Sequence, residues 1–215
     1  MLSLPMVEMV AARGGGDSSE HFLRALRISM GYVDFGKVTF FTNEDVGQQD
    51  GIDVRRIGEM DKHGYSTFCI RELPKHVSLP YCLVVQSDGF VCTPDCWTDK
   101  FLRYDYIGAP WAAEMLCVDD RVGNGGFSLR SRKFLDTCLQ FPFELNQNED
   151  HLLCRTHRKW MVEQGVQFAP INVAAKFARE QELSEYNNNL MTCFGFHGWG
   201  PGREAFRFMI YGFDQ

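Results

Sequence analysis

The sequence predicts an α/β fold, and two observations carry that prediction. Segments with strand-like apolar runs alternate with segments whose apolar residues recur at helical spacing, a pattern typical of helices packed on a sheet. Hydrophobic residues make up 45% of the 215 residues and aromatic residues 13%, which is enough for one sizeable core. We therefore expect one folded domain and exclude an intrinsically disordered chain.

The first half of the chain is predicted to hold four strands and two helices. The first helix is expected to begin at Asp17, an N-cap followed three residues later by Glu20, and the second to end at Pro74. The run at 81–86 is continuously apolar, which is typical of a central, buried strand. The predicted strands are residues 4–12, 37–42, 53–57 and 81–86, and the second helix is residues 65–73.

The second half is predicted to continue the alternation with shorter strands. A helix is expected to start at residues 93–95, and Ser131 is expected to cap a helix that runs to Leu139. Gly165 is expected to close a helix over residues 150–164. The predicted strands lie within residues 104–110, at 126–130 and at 166–169.

Charge and cysteine usage limit the classes of function. The net charge of -6 and the lack of a basic run give little support for nucleic-acid binding. No segment approaches the ~18 consecutive apolar residues of a membrane span, and the N-terminal stretch carries Glu8 without the basic region of a signal peptide. The eight cysteines follow no secreted framework, and Cys92-x3-Cys96 lacks the second ligand pair of a structural zinc site. We expect free thiols and a cytoplasmic protein.

The most informative segment is a glycine-rich turn that runs into a predicted strand. Glycines let a backbone approach a ligand closely, although Asn-Gly is also a common turn dipeptide. Further along the chain, Glu149 and Asp150 begin a predicted helix, where carboxylates can cap the helix or transfer protons. The residues of the turn are Gly123, Asn124, Gly125 and Gly126.

Helical spacing places Asp150 on the apolar face of its predicted helix. At about 100° per residue, Asp150 shares that face with Leu153, Cys154 and Met161. A carboxylate on an inward face needs a partner or a ligand. The pattern therefore favours a functional Asp150 over a simple helix cap.

Two further residues are candidate metal ligands. Asp88 follows the predicted central strand, and in open α/β sheets ligands bind at the carboxyl ends of strands. A carboxylate there suits Mn2+ or Mg2+ held with substrate phosphates, although Ser-Asp-Gly is also ordinary turn chemistry. His197 lies among glycines and aromatic residues, where an imidazole can bind Mn2+ or simply form loop hydrogen bonds. Trp111 is either a core residue or a platform for a sugar or base.

Together these motifs resemble those of the GT-A-fold glycosyltransferases, and most closely an uncharacterised, mainly microbial family of them. The resemblance extends from about residue 23 to residue 199, and its two middle motifs are specific. The motifs are Gln-x-Asp at 86–88, Asp-Tyr-Ile-Gly-Ala-Pro-Trp at 105–111, Gly-Asn-Gly-Gly-Phe-Ser-Leu-Arg-Ser at 123–131, Glu-Asp at 149–150 and Phe-His-Gly at 196–198.

The resemblance implies a single GT-A-like (Rossmann-like) domain over residues 1–215, with a mixed central sheet flanked by helices. Residues 1–92 would form the nucleotide-binding half and residues 93–215 the acceptor-binding half. Gln86 replaces the first aspartate of the Asp-x-Asp motif, and glutamine is a neutral, weaker metal ligand.

The resemblance also implies roles for individual residues. Asp150, with Glu149 beside it, would be the catalytic base of an inverting enzyme, and Asp88 and His197 would bind Mn2+ or Mg2+. The residues implied in binding donor or acceptor are Gln86, Asp88, Trp111, Gly123, Asn124, Gly125 and Gly126.

The leading hypothesis is an inverting glycosyltransferase that uses a nucleotide-sugar donor, a UDP-sugar, and a glycan or other hydroxyl acceptor. The alternative is a non-catalytic domain that binds sugar nucleotides or glycans, which the neutral Gln86 keeps open. A phosphoryl- or nucleotidyl-transfer enzyme is disfavoured because the sequence has no Gly-x4-Gly-Lys-Ser/Thr loop.

Overall fold

A computed structural model describes residues 1–14, 16–112 and 121–198, and its centre is a sheet of six strands. The strands are β1 (Leu2–Ala12), β2 (Val33–Thr42), β3 (Asp53–Arg56), β4 (Tyr81–Val85), β5 (Gly89–Val91), β6 (Tyr106–Gly108), β7 (Phe127–Ser131), β8 (Ala178–Arg179) and β9 (Gly195–His197). The large sheet has the order β3-β2-β1-β4-β7-β6. It is mixed, because β7 runs antiparallel to β4 and β6 while β1 to β4 pair in parallel.

Helices flank this sheet and complete the α/β architecture. The α-helices are α1 (Ser19–Tyr32), α2 (Lys62–Thr67), α3 (Leu73–His76), α4 (Arg132–Leu139), α5 (Glu149–His151), α6 (Arg158–Glu163) and α7 (Ile171–Phe177). Two π-helical segments, Phe68–Glu72 and Leu152–Thr156, join neighbouring helices. The 3₁₀ turns are Pro94–Cys96, Asp99–Arg103 and Ser184–Tyr186. The predicted α/β class, with a mixed central sheet flanked by helices, is confirmed.

The central strands are buried on both faces. Alternate side chains of a strand point to opposite faces of its sheet. In β1, Met9 packs in one apolar core with Phe22 of α1, while its neighbour Val10 packs in a second core with Phe134 of α4. The two cores explain why the central strands read as continuous apolar runs.

A second, smaller sheet brings distant parts of the chain together. Its order is β5-β9-β8, with β5 and β9 antiparallel. Gly89, the first residue of β5, pairs with His197, the last residue of β9. Because Asp88 immediately precedes β5, this register places Asp88 beside His197.

Two element predictions in the first half need correction. The N-cap of α1 is Ser18, not Asp17, because the Asp17 carboxylate accepts a hydrogen bond from Ser87 at 2.5 Å. The helix predicted at 65–73 begins at Lys62, where Asp61 accepts from the Gly64 amide, and helical turns continue past Pro74. Pro74 is tolerated because it lies in the first turn of α3, where a backbone donor is not required.

The second half also differs in detail from the predictions. Ser131 caps α4 as predicted, by accepting from the Phe134 amide at 3.1 Å. The segment predicted as a helix from residue 93 forms only 3₁₀ turns, and the strand predicted at 166–169 is a single bridge from Phe168 to Tyr106. The helix predicted at 150–164 begins at Glu149 and is interrupted by the π-helical segment.

Several sequence predictions concern residues outside the description. Gly15, residues 113–120 and residues 199–215, which include the end of the motif resemblance at residue 199, lie outside the described residues. The domain boundaries and the two halves stay predictions. Within the described ranges, no helix combines the length and apolar character needed to span a membrane. The seven cysteines described have free thiols, and the cytoplasmic location stays a prediction.

Candidate functional site

A polar cavity of about 380 Å³ opens where β1 and β4 end and β7 begins. Three of the predicted site residues, Gly123, Gly125 and Asp88, are not in its lining, but each is the chain neighbour of a residue that is. The predicted site residues in its lining are Gln86, Trp111, Asn124, Gly126, Glu149, Asp150 and His197. The lining residues that were not predicted are Gly14, Asp17, Phe22, Lys62, Tyr65, Ser66, Ser87, Asn148, His151 and Glu180.

The glycine loop, residues 123–126, is held from below through its carbonyl oxygens. Each of the four carbonyls accepts a hydrogen bond from an element of the large sheet or its edge. The donors are the Tyr106 hydroxyl, whose single proton is shared between Gly123 (2.8 Å) and Asn124 (3.0 Å), Ser128 Oγ for Gly125 (3.0 Å) and the backbone N–H of Gln86 for Gly126 (2.9 Å). The loop is therefore fixed in place without any ligand.

The glycines of this loop leave room for side chains from three other motifs. A Cβ atom at Gly123 would lie 2.3 Å from the ring of Trp111, and one at Gly126 would lie 1.9 Å from Nε2 of His197. A Cβ atom at Gly125 would lie 2.5 Å from Oε1 of Glu149. Real Cβ atoms do not approach other atoms this closely. Only glycine at these three positions therefore lets Trp111, Glu149 and His197 pack against the loop and close the cavity wall.

The two adjacent carboxylates have different environments. Glu149 is 4% exposed, and its Oε1 accepts from Nη2 of Arg130 at 3.1 Å. Burial raises the pKa of Glu149, as does the charge of Asp150, while Arg130 opposes both. Asp150 is half-buried and lines the cavity, with Oδ2 accepting from the Gly125 amide at 3.2 Å and Oδ1 from the His151 amide at 2.7 Å.

This geometry corrects the helical-wheel argument for Asp150. Glu149, not Asp150, points into the protein, because α5 is only Glu149–His151 and passes directly into a π-helical segment. The wheel is right for the following turns, where Leu153, Cys154 and Met161 are buried. Both predicted catalytic carboxylates border the cavity, but Asp150 is the more accessible of the two.

His197 lies within reach of two carboxylates and an amide. Its Nε2 is 3.1 Å from Oε1 of Gln86 and 3.4 Å from Oδ1 of Asp88, and its Nδ1 is 3.4 Å from Oε1 of Glu180. Burial lowers the pKa of His197, but the neighbouring carboxylates of Glu180 and Asp88 outweigh burial and raise it above its ordinary value. The amide of Gln86 also donates to the hydroxyl of Tyr65 at 3.2 Å.

These residues fit a cation that is shared with a substrate. No group of three or more His, Cys, Asp or Glu side chains in the described residues could hold a metal ion by itself. Asp88 and His197 offer two ligands, and a hard cation that binds phosphates commonly takes only one or two protein ligands. Glu180 contacts the far nitrogen of the imidazole, as carboxylates often do for metal-binding histidines.

Sequence reasoning missed the residues that support the site. Glu180 lies in a polar segment with other glutamates, which gave no signal of contact with His197. Asp17, proposed as a helix cap, instead joins the cavity wall through its bond to Ser87. Arg130 belonged to a recognised motif, but nothing in the sequence indicated that its guanidinium would be buried under the loop.

Trp111 forms part of the cavity wall. It is 6% exposed, and its ring meets that of His151 edge-on with 5.1 Å between centroids. The ring also covers Gly123. Stacking of Trp111 on a sugar or base stays a prediction.

The fold and the cavity define an α/β protein with a polar site at the carboxyl edge of a mixed sheet. The chain belongs to the family described as "Protein of unknown function (DUF5672)", which matches residues 58–197. This match contains every predicted site residue, from Gln86 to His197. No curated protein matches the chain.

Among solved structures, the chain is similar to the mannosyltransferase PcManGT from Pyrobaculum calidifontis in complex with GDP-Man and Mn2+. The TM-score is 0.49 at 9% sequence identity. The similarity covers 78% of this chain and 56% of that chain.

Proposed function

We propose that the chain is an inverting glycosyltransferase that moves a sugar from a nucleotide-sugar donor, a UDP-sugar, to a hydroxyl of a glycan or other acceptor. The observation that carries the proposal is the arrangement around one cavity of an accessible carboxylate, Asp150, and a possible cation site at Asp88 and His197. The motif resemblance supports the same reaction.

Asp150 is the proposed general base. Its two oxygens each accept one backbone hydrogen bond, which fixes the carboxylate and leaves lone pairs for an acceptor hydroxyl. The hydroxyl oxygen bonds to the anomeric carbon, its proton goes to Asp150, and the bond from that carbon to the nucleoside diphosphate breaks. A well-placed base of this kind contributes ~10²–10⁴-fold to the rate.

The charge of the cavity supports a role for a divalent cation. The acidic residues in the lining are Asp17, Glu149, Asp150 and Glu180, and Lys62 is the one Lys or Arg among its described lining residues. A diphosphate would therefore meet mostly negative charge. Asp88 and His197 would hold Mn2+ or Mg2+, which when bound stabilises negative charge on a leaving diphosphate.

The chain's own residues prepare this part of the cavity. Glu180 lies beside Nδ1 of His197, where it would orient the imidazole. A cation at Nε2 would displace the bond to Gln86, whose side-chain amide is also held by Tyr65. We place the nucleotide against the N-terminal wall, formed by Gly14 and Phe22.

The second candidate is a binding domain that holds a sugar nucleotide or glycan without catalysis. The observation that favours it is the hydrogen bond between Gln86 and His197, which occupies the nitrogen that a cation would need. A neutral amide at this position also adds no charge to attract a cation.

Turnover and nucleotide binding separate the two candidates. We expect the purified protein with Mn2+ to release UDP from one member of a UDP-sugar panel when acceptors are supplied. Asp150→Asn should lower kcat by about 10²-fold or more while leaving the Kd for UDP, from calorimetry, unchanged. Asp136→Asn is the matched control, because Asp136 is exposed on α4 and pairs with Arg132.

Two outcomes would contradict the proposal. Unchanged turnover in Asp150→Asn would remove Asp150 as the base. Tight binding of UDP without turnover of any donor would favour the binding domain.

A further inference from the structure

Arg130 is a buried arginine of β7 that lies beneath the glycine loop. Its side chain is 1% exposed, and Nε donates to Ser128 Oγ at 3.0 Å. Nη2 donates to Glu149 Oε1 at 3.1 Å and to the Gly125 carbonyl at 3.3 Å. One guanidinium thus joins a central strand, the loop and the start of the helix that carries Asp150.

Gly125 connects this ion pair to Asp150. Its carbonyl accepts from Arg130, and its amide donates to Oδ2 of Asp150 at 3.2 Å. A Cβ atom at Gly125 would lie 2.5 Å from Glu149 and 3.1 Å from Cβ of Asp150, so the loop and the helix start pack directly on each other. A shift of the ion pair would therefore move both the backbone that carries Asp150 and the amide that holds its carboxylate.

The ion pair between Arg130 and Glu149 is better explained by the groups that it holds in position than by a contribution to the stability of the fold. Removing two charges from water costs much of what their attraction returns, so apolar residues of similar size are often as stabilising as a buried pair. Both partners here are almost fully buried. What the pair provides that apolar side chains cannot is a set of directed bonds to Gly125 and across to Glu149.

We propose that Arg130 and Glu149 are positioning residues that set the location of the Asp150 carboxylate through the Gly125 peptide. In this scheme the acceptor hydroxyl bonds to Asp150, and Glu149, although it borders the cavity, acts through Arg130 and Gly125. The proposal replaces the catalytic role expected for Glu149, and it rests on the proposed function of Asp150 as the base.

The bond between Gly125 and Asp150 can be observed without any substrate. Asn124-Gly125 is the only Asn-Gly dipeptide in the sequence. Labelling asparagine with 13C at the carbonyl and glycine with 15N therefore yields a single correlated amide signal, that of Gly125. The Asp150→Asn variant gives the reference chemical shift of the Gly125 signal, since in this variant the Gly125 amide no longer faces a carboxylate.

Glu149→Gln and Arg130→Lys are the test variants, and Glu8→Gln is the matched control. Glu8 is also a buried carboxylate, 1% exposed, but it bonds to Thr39 and Ser78 away from the cavity. In both test variants we expect the Gly125 signal to move towards its position in Asp150→Asn, and kcat to fall about 10²-fold with the Kd for UDP unchanged. The control should leave both the signal and kcat at wild-type values.

A double variant keeps the test decisive if a single variant does not fold. Arg130→Met with Glu149→Leu removes both charges together, and such replacements are commonly tolerated in cores. A folded double variant with a moved Gly125 signal and lowered kcat supports positioning. The positioning role would be overturned by a test variant in which both the Gly125 signal and kcat keep their wild-type values. It would also be overturned if a variant lost as much affinity for UDP as it lost in kcat.

Failure of the proposed function gives a different pattern. If wild-type protein transfers no sugar, the proposed reaction is wrong, while the Gly125 signal still reports whether the ion pair sets the position of Asp150.

Discussion

The imidazole of His197 packs directly on the backbone of Gly126, so that a Cβ atom at position 126 would lie 1.9 Å from Nε2. Asp88, Glu180 and Gln86 surround the same ring. The ring therefore cannot retreat from a side chain at position 126 without leaving these partners.

Gly126→Ala is expected to displace His197 and weaken the proposed cation site. We expect binding of Mn2+ in the presence of UDP, measured by calorimetry or by the electron paramagnetic resonance of free Mn2+, to weaken by 10-fold or more, about one lost ligand interaction. Gly31→Ala is the control, because a Cβ atom at Gly31 meets nothing within 4 Å and alanine suits a helix better than glycine. Equal affinity in Gly126→Ala and wild type would show that His197 does not hold the cation.

Glu180→Gln is expected to weaken cation binding without removing a ligand. Loss of the carboxylate at Nδ1 loosens the orientation of His197, and losses of this kind cost about 10–100-fold in metal affinity. The comparison is Glu182→Gln, since Glu182 is 75% exposed and pairs with Arg179 across 3.7 Å. The same calorimetric titration measures both variants, and a loss in Glu182→Gln as large as in Glu180→Gln would contradict the orienting role.

Glu8 is expected to make the stability of the fold depend on pH. Burial raises the pKa of Glu8, but the bonds from Ser78, Thr39 and Lys37 together lower it below its ordinary value of 4.5. The ionised form is thus favoured in the folded state. Its contribution to the free energy of unfolding is complete above the unfolded-state pKa and is lost as the pH falls through the lower folded-state pKa.

Urea unfolding of Glu8→Gln across this pH range measures the effect. At neutral pH the variant should be less stable by about 1–3 kcal/mol, as expected for hydrogen bonds to a charged group, and the difference should shrink in acid. Glu72→Gln provides the comparison, because Glu72 forms an exposed pair with Lys75. A difference between wild type and Glu8→Gln that does not change with pH would show that the pKa of Glu8 is the same in both states.

Ser131→Ala is expected to destabilise the fold through the start of α4. Ser131 Oγ accepts from the Phe134 amide at 3.1 Å and donates to Asp105 at 2.7 Å. Loss of an N-cap costs about 0.5–2 kcal/mol in the free energy of unfolding, measurable by thermal or urea denaturation. Ser18→Ala should cost less, because Ser18 is the N-cap of α1 but forms no capping bond with its side chain. Equal losses in the two variants would mean that the capping bond contributes nothing.

The strands of the large sheet could be predicted from the sequence, because the apolar pattern of each strand reflects how that strand itself is buried. The continuous apolar run at β4 follows from cores on both faces of the sheet, and Ser131 is a cap in the structure as in the prediction. The motif residues were also predicted to lie together, and Gln86, Asp150 and His197 do line one cavity.

The relationships that were missed depend on partners far along the chain. Which of Glu149 and Asp150 is buried is decided by Arg130 on β7 and by a π-helical segment, neither of which follows from a regular helical wheel. Asp17 is not the N-cap of α1, because its carboxylate accepts a hydrogen bond from Ser87, and Ser18 is the N-cap instead. Local propensity contains no information about such partners.

The pairing of Gly89 with His197 also has a consequence for how the site forms during synthesis. β5 and β9 are neighbours in space but their paired ends are 108 positions apart (197 minus 89). A nascent chain can assemble the six-stranded sheet from residues up to Ser131, whereas His197 can meet Asp88 only after β9 has been made. If the proposed cation site exists, we therefore expect it to form last, as a property of the finished fold that no shorter intermediate shares.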